Sequence, residues 1–554
     1  MSQPKICDKK SERKAGRFRR ILAQLVATTV KNFLLFNLGL CFSLPTIVIP
    51  ALTGIQNEYN QGETLTITPV QASWLGALAY LVQPFGSILS ALITDPLGRK
   101  RAMILVNIPF AIGWYMLYRA TTVWEIFLGF AMQGLAVGLM EAPIVTYLGE
   151  ICEPSVRGVL IGYTFIFGTI GMFTIYLMNT LMAWRTVCFI CLWVPVFTAF
   201  AICFIPETMQ WLLSKNRTAD AEKSLRWLRG WVSSEAVAQE FNDLKRHSEL
   251  SKSCNACIKQ NVKCSHPLPT MVEKFAELKR KRTLKPLFIV ISLFFLAQFS
   301  GILSMRPFMV QIFKAYESPV KPDQAATIMS VLDNLANITF MLLVKLTGKR
   351  KLYLFCLCGV LACAGTITWY GYTYLPPGYV SFDQAHHKPF ELENKDLGYI
   401  PMVCLMLWSY FAFCGFNGMP WMFLSELFPF KSRGMASGVA AATNYAFGFF
   451  TKKTYYNLET TLSLPGASLL YTIICLFGLI LTYNILPETE NRSLEDIELH
   501  FSDNSKKITD RKIAKRAKNK HRENGNPEKV FAVAINDSEN KSSYYNKGFE
   551  LEKV

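Results

Sequence analysis

Charge is scarce in this chain: 18% of its 554 residues are Asp, Glu, Lys or Arg, against 51% hydrophobic and 13% aromatic. A soluble protein of this length divides into several domains built from amphipathic segments. Here the apolar residues come in long blocks instead, many longer than the roughly 20 residues that cross a bilayer. Acid is the scarcer sign, and the formal net charge is +18. Such an excess suggests nucleic acid when it covers a soluble surface. These Lys and Arg sit mostly between apolar blocks, where they read as topology signals, so a soluble nucleic-acid binder is excluded. No phosphate loop is present, and nothing suggests ATP drive. No cleavable signal peptide is evident: the N-terminal stretch is basic ("KKSERKAGRFRR") and the first apolar block is full length, so it should stay as a membrane helix. The fifteen cysteines make no disulfide scaffold. Most lie singly inside apolar blocks, as Cys41, Cys188, Cys203 and Cys404 do, and behave as small hydrophobes.

What is present is a series of twelve apolar blocks, at 31–52, 70–93, 102–119, 124–148, 158–181, 184–205, 286–313, 324–346, 352–374, 399–423, 434–456 and 465–486. Their lengths suit helices rather than barrel strands. The basic N-terminal segment, "GRKR" at 98–101, the 206–285 segment, "GKRK" at 348–351, "KSR" at 431–433 and the C-terminal tail all fall on one side. That side should be cytoplasmic, with both termini on it. Lys452 and Lys453, near the outer end of block eleven, are exceptions. The expected organisation is all-α: a basic tail (1–30), a six-helix bundle (31–205), cytoplasmic linker helices (206–285), a second six-helix bundle (286–486) and a polar, largely disordered tail (487–554). The halves also repeat each other. "YLGEICEPSVRG" follows block four and "FLSELFPFKSRG" follows block ten; "PETMQWL" follows block six and "PETENRSLEDIE" block twelve. Repeats with a site near the midplane between them are the pattern of secondary transporters.

Together with "DPLGRKR" (95–101), "AQFSGI" (297–302) and "GMPWMFLSELFP" (418–429), these motifs resemble the sugar porter family of the major facilitator superfamily. The likeness covers roughly residues 30 to 500, and its texture is closest to insect facilitated trehalose transporter-like members. The resemblance implies a fold of two six-helix bundles, a sugar or polyol as substrate, alternating access in a cell membrane, and neither cofactor nor enzymatic activity. It also implies a cytoplasmic gate at Asp95, Arg99, Glu150, Arg157, Glu207, Glu426, Arg433, Glu488 and Arg492, made in one state and released in the other. Departures stand in the second half, where Lys345 replaces an acid of the loop after helix eight, and after helix six, where Gln210 replaces an Arg. An asymmetric inner latch is expected. Monomer is the default, with small solute and lipid bilayer as partners.

By the same resemblance, the binding positions fall on Gln298, Asp333, Trp421, Asn444 and Tyr445. Phe165 stands where the family carries Gln, Phe413 replaces a Glu, and Ala297 and Leu303 replace amides. A site that loses amide partners binds an ordinary hexose poorly, so the solute is expected to be atypical. Arg306, followed by Pro307 inside block seven, has two readings. It pairs with Asp333 in the next block, at similar depth, and edges the cavity about 80° around the helix from Gln298; or it snorkels to the outer headgroups. Pro307 should break the helix. Glu141 either faces the cavity or pairs with a nearby group. Helix one has no acid, which favours facilitated diffusion, while Glu141 and Asp333 keep proton coupling open. Cys254, Cys257, Cys264 and His266 form an irregularly spaced candidate zinc set; a free-thiol loop is the alternative. Two further functions remain open: a non-transporting nutrient sensor, and a carrier of a non-sugar organic solute using Arg306.

Overall fold

Lipid offers backbone N–H and C=O groups no partner, so each apolar block must close its hydrogen bonds within itself. The computed structural model describes residues 9–54, 59–60, 62–251, 278–382, 395–429, 432–490, 492, 494–502, 509–510 and 513. Among them all regular structure is helical. The first half comprises α1 (Lys9–Leu52), α2 (Pro69–Leu97), α3 (Arg99–Arg119), α4 (Val123–Ile151), α5 (Pro154–Asn179) and α6 (Trp184–Ile202). Short helices α7 (Met209–Ser214), α8 (Thr218–Leu228) and α9 (Ser234–Ser251) follow. Span seven is built from α10 (Lys281–Phe299), α11 (Ile302–Met305), a 3-10 turn at Arg306–Phe308 and α12 (Met309–Ala315). Spans eight and nine are α13 (Pro322–Thr347) and α14 (Lys349–Tyr374). Span ten joins α15 (Tyr399–Phe411) to α16 (Met419–Glu426) through a π turn at Ala412–Phe416; α17 (Arg433–Ile485) and α18 (Leu494–Ser502) complete the chain.

Among the described residues, eleven helical stretches are long and apolar enough to cross a membrane. The last counts twice. The 53 residues of α17 would reach about 80 Å if straight, against a hydrocarbon core of roughly 30 Å. Ser463, at φ 68, breaks the helix, and its two arms are spans eleven and twelve. The fold is therefore the expected twelve-helix one. Within the first half α2 packs on α4, α1 on α5 and α3 on α6; across the halves α2 packs on α17 and α5 on α13.

Two local expectations change. The basic N-terminal segment is not a free tail: α1 is helical from Lys9. Ala23, Gln24 and Ala27 are fully buried, and Arg20 reaches Glu153 at 3.0 Å. Span seven breaks first at Gly301 rather than at Pro307. Gly301 has φ 101, and a Cβ there would lie 2.7 Å from the Tyr471 ring and 2.9 Å from Trp408. The Ser304 hydroxyl donates to the freed Gln298 carbonyl at 3.0 Å. Pro307 sits in the 3-10 turn that follows. The candidate set Cys254, Cys257, Cys264 and His266 lies outside the described residues.

Candidate functional site

At the basic face both halves build the same anchor. Helix α3 starts at Arg99 directly after Gly98 (φ 95), and α14 at Lys349 directly after Gly348 (φ 84). First-turn N–H groups have no helical partners. Glu207 accepts from those of Arg99 and Lys100 at 3.1 Å. Glu488 accepts from those of Lys349 and Arg350 at 3.2 and 3.1 Å. Burial pushes the Glu207 carboxyl up, and the N–H groups of Thr208, Lys100 and Arg99 only partly hold it back. Arg99 then reaches Glu150 at 2.9 Å and Asp95 at 3.6 Å. Lys349 reaches Glu426 at 2.6 Å and Glu490 at 3.1 Å. Each of these ion pairs stays within its own half. The backbone N–H of Arg492 donates to Thr489 at 3.2 Å. The side chains of Arg157 and Arg433 lie outside what the structure describes. Sequence reasoning missed Lys349 and Glu490, although "GRKR" and "GKRK" repeat the anchor's start.

Between the halves, at mid-depth, lies a cavity of about 30 Å³, walled by Cys41, Tyr80 and Met172 on one side and by Arg306, Phe413 and Lys452 on the other. That is room for one or two waters, not for a sugar, so the cavity is shut. Its far wall is Arg306. The guanidinium donates to Asp333 at 2.5 Å, to Ser409 at 3.0 Å and to the Tyr176 hydroxyl at 3.3 Å. Ser409 donates to Asp333 as well, at 2.5 Å. Thr46 donates to the Arg306 carbonyl at 2.9 Å. Arg306 is thus paired in the core and does not stretch to the headgroups. Asp333, 0% exposed, is shut behind it, away from the cavity. Toward the far face more bonds join the halves: Gln311 to Thr53 at 3.0 Å, Asn179 to Asp323 at 3.2 Å and Lys453 to Ser73 at 2.9 Å.

Toward the basic face, the Gln298 amide donates to Asn444 at 3.0 Å, and Tyr445 donates across the halves to Glu141 at 2.7 Å. Trp421 stands edge-on to Phe294, 5.1 Å between ring centres, and 6.2 Å from Tyr445. The structure thus groups Gln298, Trp421, Asn444 and Tyr445; Phe165 is half-buried on α5 and does not line the cavity. Three residues escaped the sequence reading. Lys452 lies in the cavity wall, not in a loop. Tyr80 faces it. Gln133 accepts from the Cys41 thiol at 2.7 Å and leaves its own Nε2 without a partner. The signal was there: each is a polar or amphipathic residue in an apolar block. Gln83 Oε1 and Glu141 Oε2 are likewise buried and unbonded. Amide and carboxyl groups held this way recognise hydroxyls, because leaving them unmet is costly.

A family model described as "Sugar (and other) transporter" matches residues 39–501. The facilitated trehalose transporter Tret1 of Bombyx mori is 28% identical over 456 residues, spanning 82% of this chain and 84% of that one. That of Apis mellifera ligustica is 28% identical over 484 residues, spanning 87% and 89%. Among solved structures, the xylose transporter XylE from E. coli, in a partially occluded inward-open conformation, superimposes with a TM-score of 0.65 at 15% identity over 85% of this chain and 100% of that one. The proton:xylose symporter XylE bound to 6-bromo-6-deoxy-D-glucose gives 0.63 at 16% identity, over 87% and 99%. At those identities the likeness is one of fold.

Proposed function

The chain belongs to the sugar transporter family, a family of membrane transporters, and from that premise we propose that it carries a sugar or related polyol by alternating access and facilitated diffusion. The observation that carries this reading is the shut cavity between the halves, walled by residues of both and holding Arg306 and Lys452 in an otherwise largely apolar lining. Its far side is bolted by bonds across the interface, whereas the described basic-face ion pairs each close within one half. A bistable carrier needs that division: one seal made while the opposite one is free.

In this scheme Gln298, Asn444, Tyr445 and Trp421 contact solute with Gln133 and Tyr80, and Arg306 with Asp333 forms the outer gate. Asp95, Arg99, Glu150, Arg157, Glu207, Glu426, Arg433, Glu488 and Arg492 belong to the inner gate. The basic face is cytoplasmic, both termini lie there, the membrane is the plasma membrane, and the protein works as a monomer without catalysing a reaction. Trehalose is the first solute to test, since relatives are named for it. Purified protein in proteoliposomes should show saturable uptake of labelled solute in a panel of trehalose, glucose, polyols and small anions, without a proton gradient. Saturable binding with no uptake of any solute would overturn the reading in favour of a sensor.

A further inference from the structure

The most unusual charge in the molecule is Lys452. It lies eleven residues before the Ser463 break, hence about 16 Å below the far end of span eleven and near the middle of a hydrocarbon core of roughly 30 Å. It is 3% exposed. Its ammonium lies 3.9 Å from the centre of the Tyr80 ring and donates to Gln298 Oε1 at 3.4 Å. No carboxylate among the described residues pairs with it. The nearby acids are engaged elsewhere: Asp333 holds Arg306 at 2.5 Å, and Glu141 receives Tyr445, two turns from Lys452 toward the basic face. Charges inside membranes pair or face a water-filled path, and an isolated buried ammonium is expensive.

Lys31 shows what a merely structural buried lysine looks like here. It donates to Thr164 at 3.2 Å inside the first bundle. It lies 21 residues from the far end of α1, about 31 Å away and at headgroup depth, where charge is far less costly. Lys452 instead walls the cavity at mid-depth. Lys453 sits one residue farther out, against Trp74 at 4.8 Å and Ser73 at 2.9 Å.

We propose that the carried solute bears a negative charge beside its hydroxyls, as a sugar acid with one carboxylate does, and that Lys452 reads that charge. This rests on the transport reading above and names its substrate class. The carboxylate supplies the counter-charge that the protein withholds. Gln298 and Asn444 meet the adjacent hydroxyls, and the stacked rings of Tyr80 and Phe42, 4.9 Å apart, meet the C–H face. Arg306 is not the receptor, because Asp333 already neutralises it.

The test is competition in proteoliposomes holding the full chain, with glucuronate and gluconate set against glucose, trehalose and the unhydroxylated anion propionate. Wild type should prefer the sugar acids over their neutral counterparts by about ten- to a hundredfold, the worth of one charge-assisted bond. Lys452→Met should erase that ratio, Lys452→Arg should keep part of it, and Lys31→Met should leave it intact. Thermal stabilisation of the detergent-solubilised protein by glucuronate, lost in Lys452→Met, reads binding independently of uptake. Neutral sugars competing as well as the acids, propionate competing as well as glucuronate, or a ratio that survives Lys452→Met would each overturn the proposal. Absent uptake of every solute with glucuronate stabilisation intact would sink the transport reading and leave the charge recognition standing.

Discussion

The two halves share a backbone plan and differ in where they keep charge. In the first half spans one and four run unbroken, as α1 and α4. Their counterparts, spans seven and ten, are broken at Gly301 and at the π turn of Ala412–Phe416. The second half also holds Arg306, Asp333 and Lys452 at membrane depth. At the basic face the contrast reverses, because there the halves match group for group: a glycine, a cation starting a helix, a carboxylate capping it and a second carboxylate receiving the cation. Even so the side chains were exchanged. Asp95, one turn before Arg99, corresponds to Lys345 before Lys349, and the missing acid reappears as Glu490 where the first half has Met209. Each anchoring cation thus meets two carboxylates, and only the position that supplies the second one differs.

The largest effect should come from breaking the feature that only the second half has. Arg306→Leu leaves Asp333 buried, charged and with Ser409 as its remaining partner, which costs about 3–5 kcal/mol. Asp333→Asn alone should cost similarly, because it strands the guanidinium. The double variant Arg306→Leu, Asp333→Asn should recover most of that loss in thermal unfolding of the detergent-solubilised protein. Losses that simply add would mean that the two side chains act separately. Transport should fail to return in the double variant, since the bolt to Tyr176 and Ser409 is gone with Arg306.

A smaller effect sharpens the part of the comparison where the halves agree. Gly98→Ala and Gly348→Ala each force a side chain into a left-handed backbone. The new Cβ would stand 2.4 Å from Glu207 Oε2 in the first half and 2.8 Å from Glu488 Oε2 in the second. About 2 kcal/mol is expected for each from the backbone conformation alone, with Gly98→Ala the worse because its clash is tighter. If one substitution is silent, the two anchors are not equivalent and the repeat is only a sequence echo.

Much of this was legible before any coordinates. Block length alone gave the twelve spans, since lipid permits few other arrangements, and the paired motifs gave the two halves. The Arg306–Asp333 pair was one of the two readings that depth allowed, and the structure takes it rather than the one in which Arg306 reaches the headgroups. Three things were not legible. Lys452 is visibly inside block eleven, but its depth there needs the length of span eleven, and that length is set by the break at Ser463. The break at Gly301 depends on Tyr471 and Trp408 crowding it from distant parts of the chain. The move of an acid from the Asp95 position to Glu490 is invisible to a position-by-position match, because the two sites converge only in space.

The smallest predicted effect concerns the far face, where, among the described residues, only the first half ties a loop down by an ion pair. Glu63 accepts from Arg185 at 2.8 Å and from the Trp184 indole at 2.9 Å, whereas Glu459 of the second half accepts from the backbone N–H of Ser381 at 2.5 Å. Burial alone would raise the Glu63 carboxyl. The bond from Arg185, with the Leu65 N–H and the neighbouring charge, outweighs it and holds the group below its ordinary value of 4.5. A carboxyl lowered in the fold stabilises above its unfolded pKa, and the gain is lost as pH falls through the lowered one. Glu63→Gln should therefore cost on the order of 1 kcal/mol at neutral pH. The gap between wild type and variant should then close as the solution is acidified through the range just below pH 4.5. A gap that stays constant across that range would mean the loop is held by packing around Trp184 rather than by charge, and that the two halves fasten their far-face loops in the same way after all.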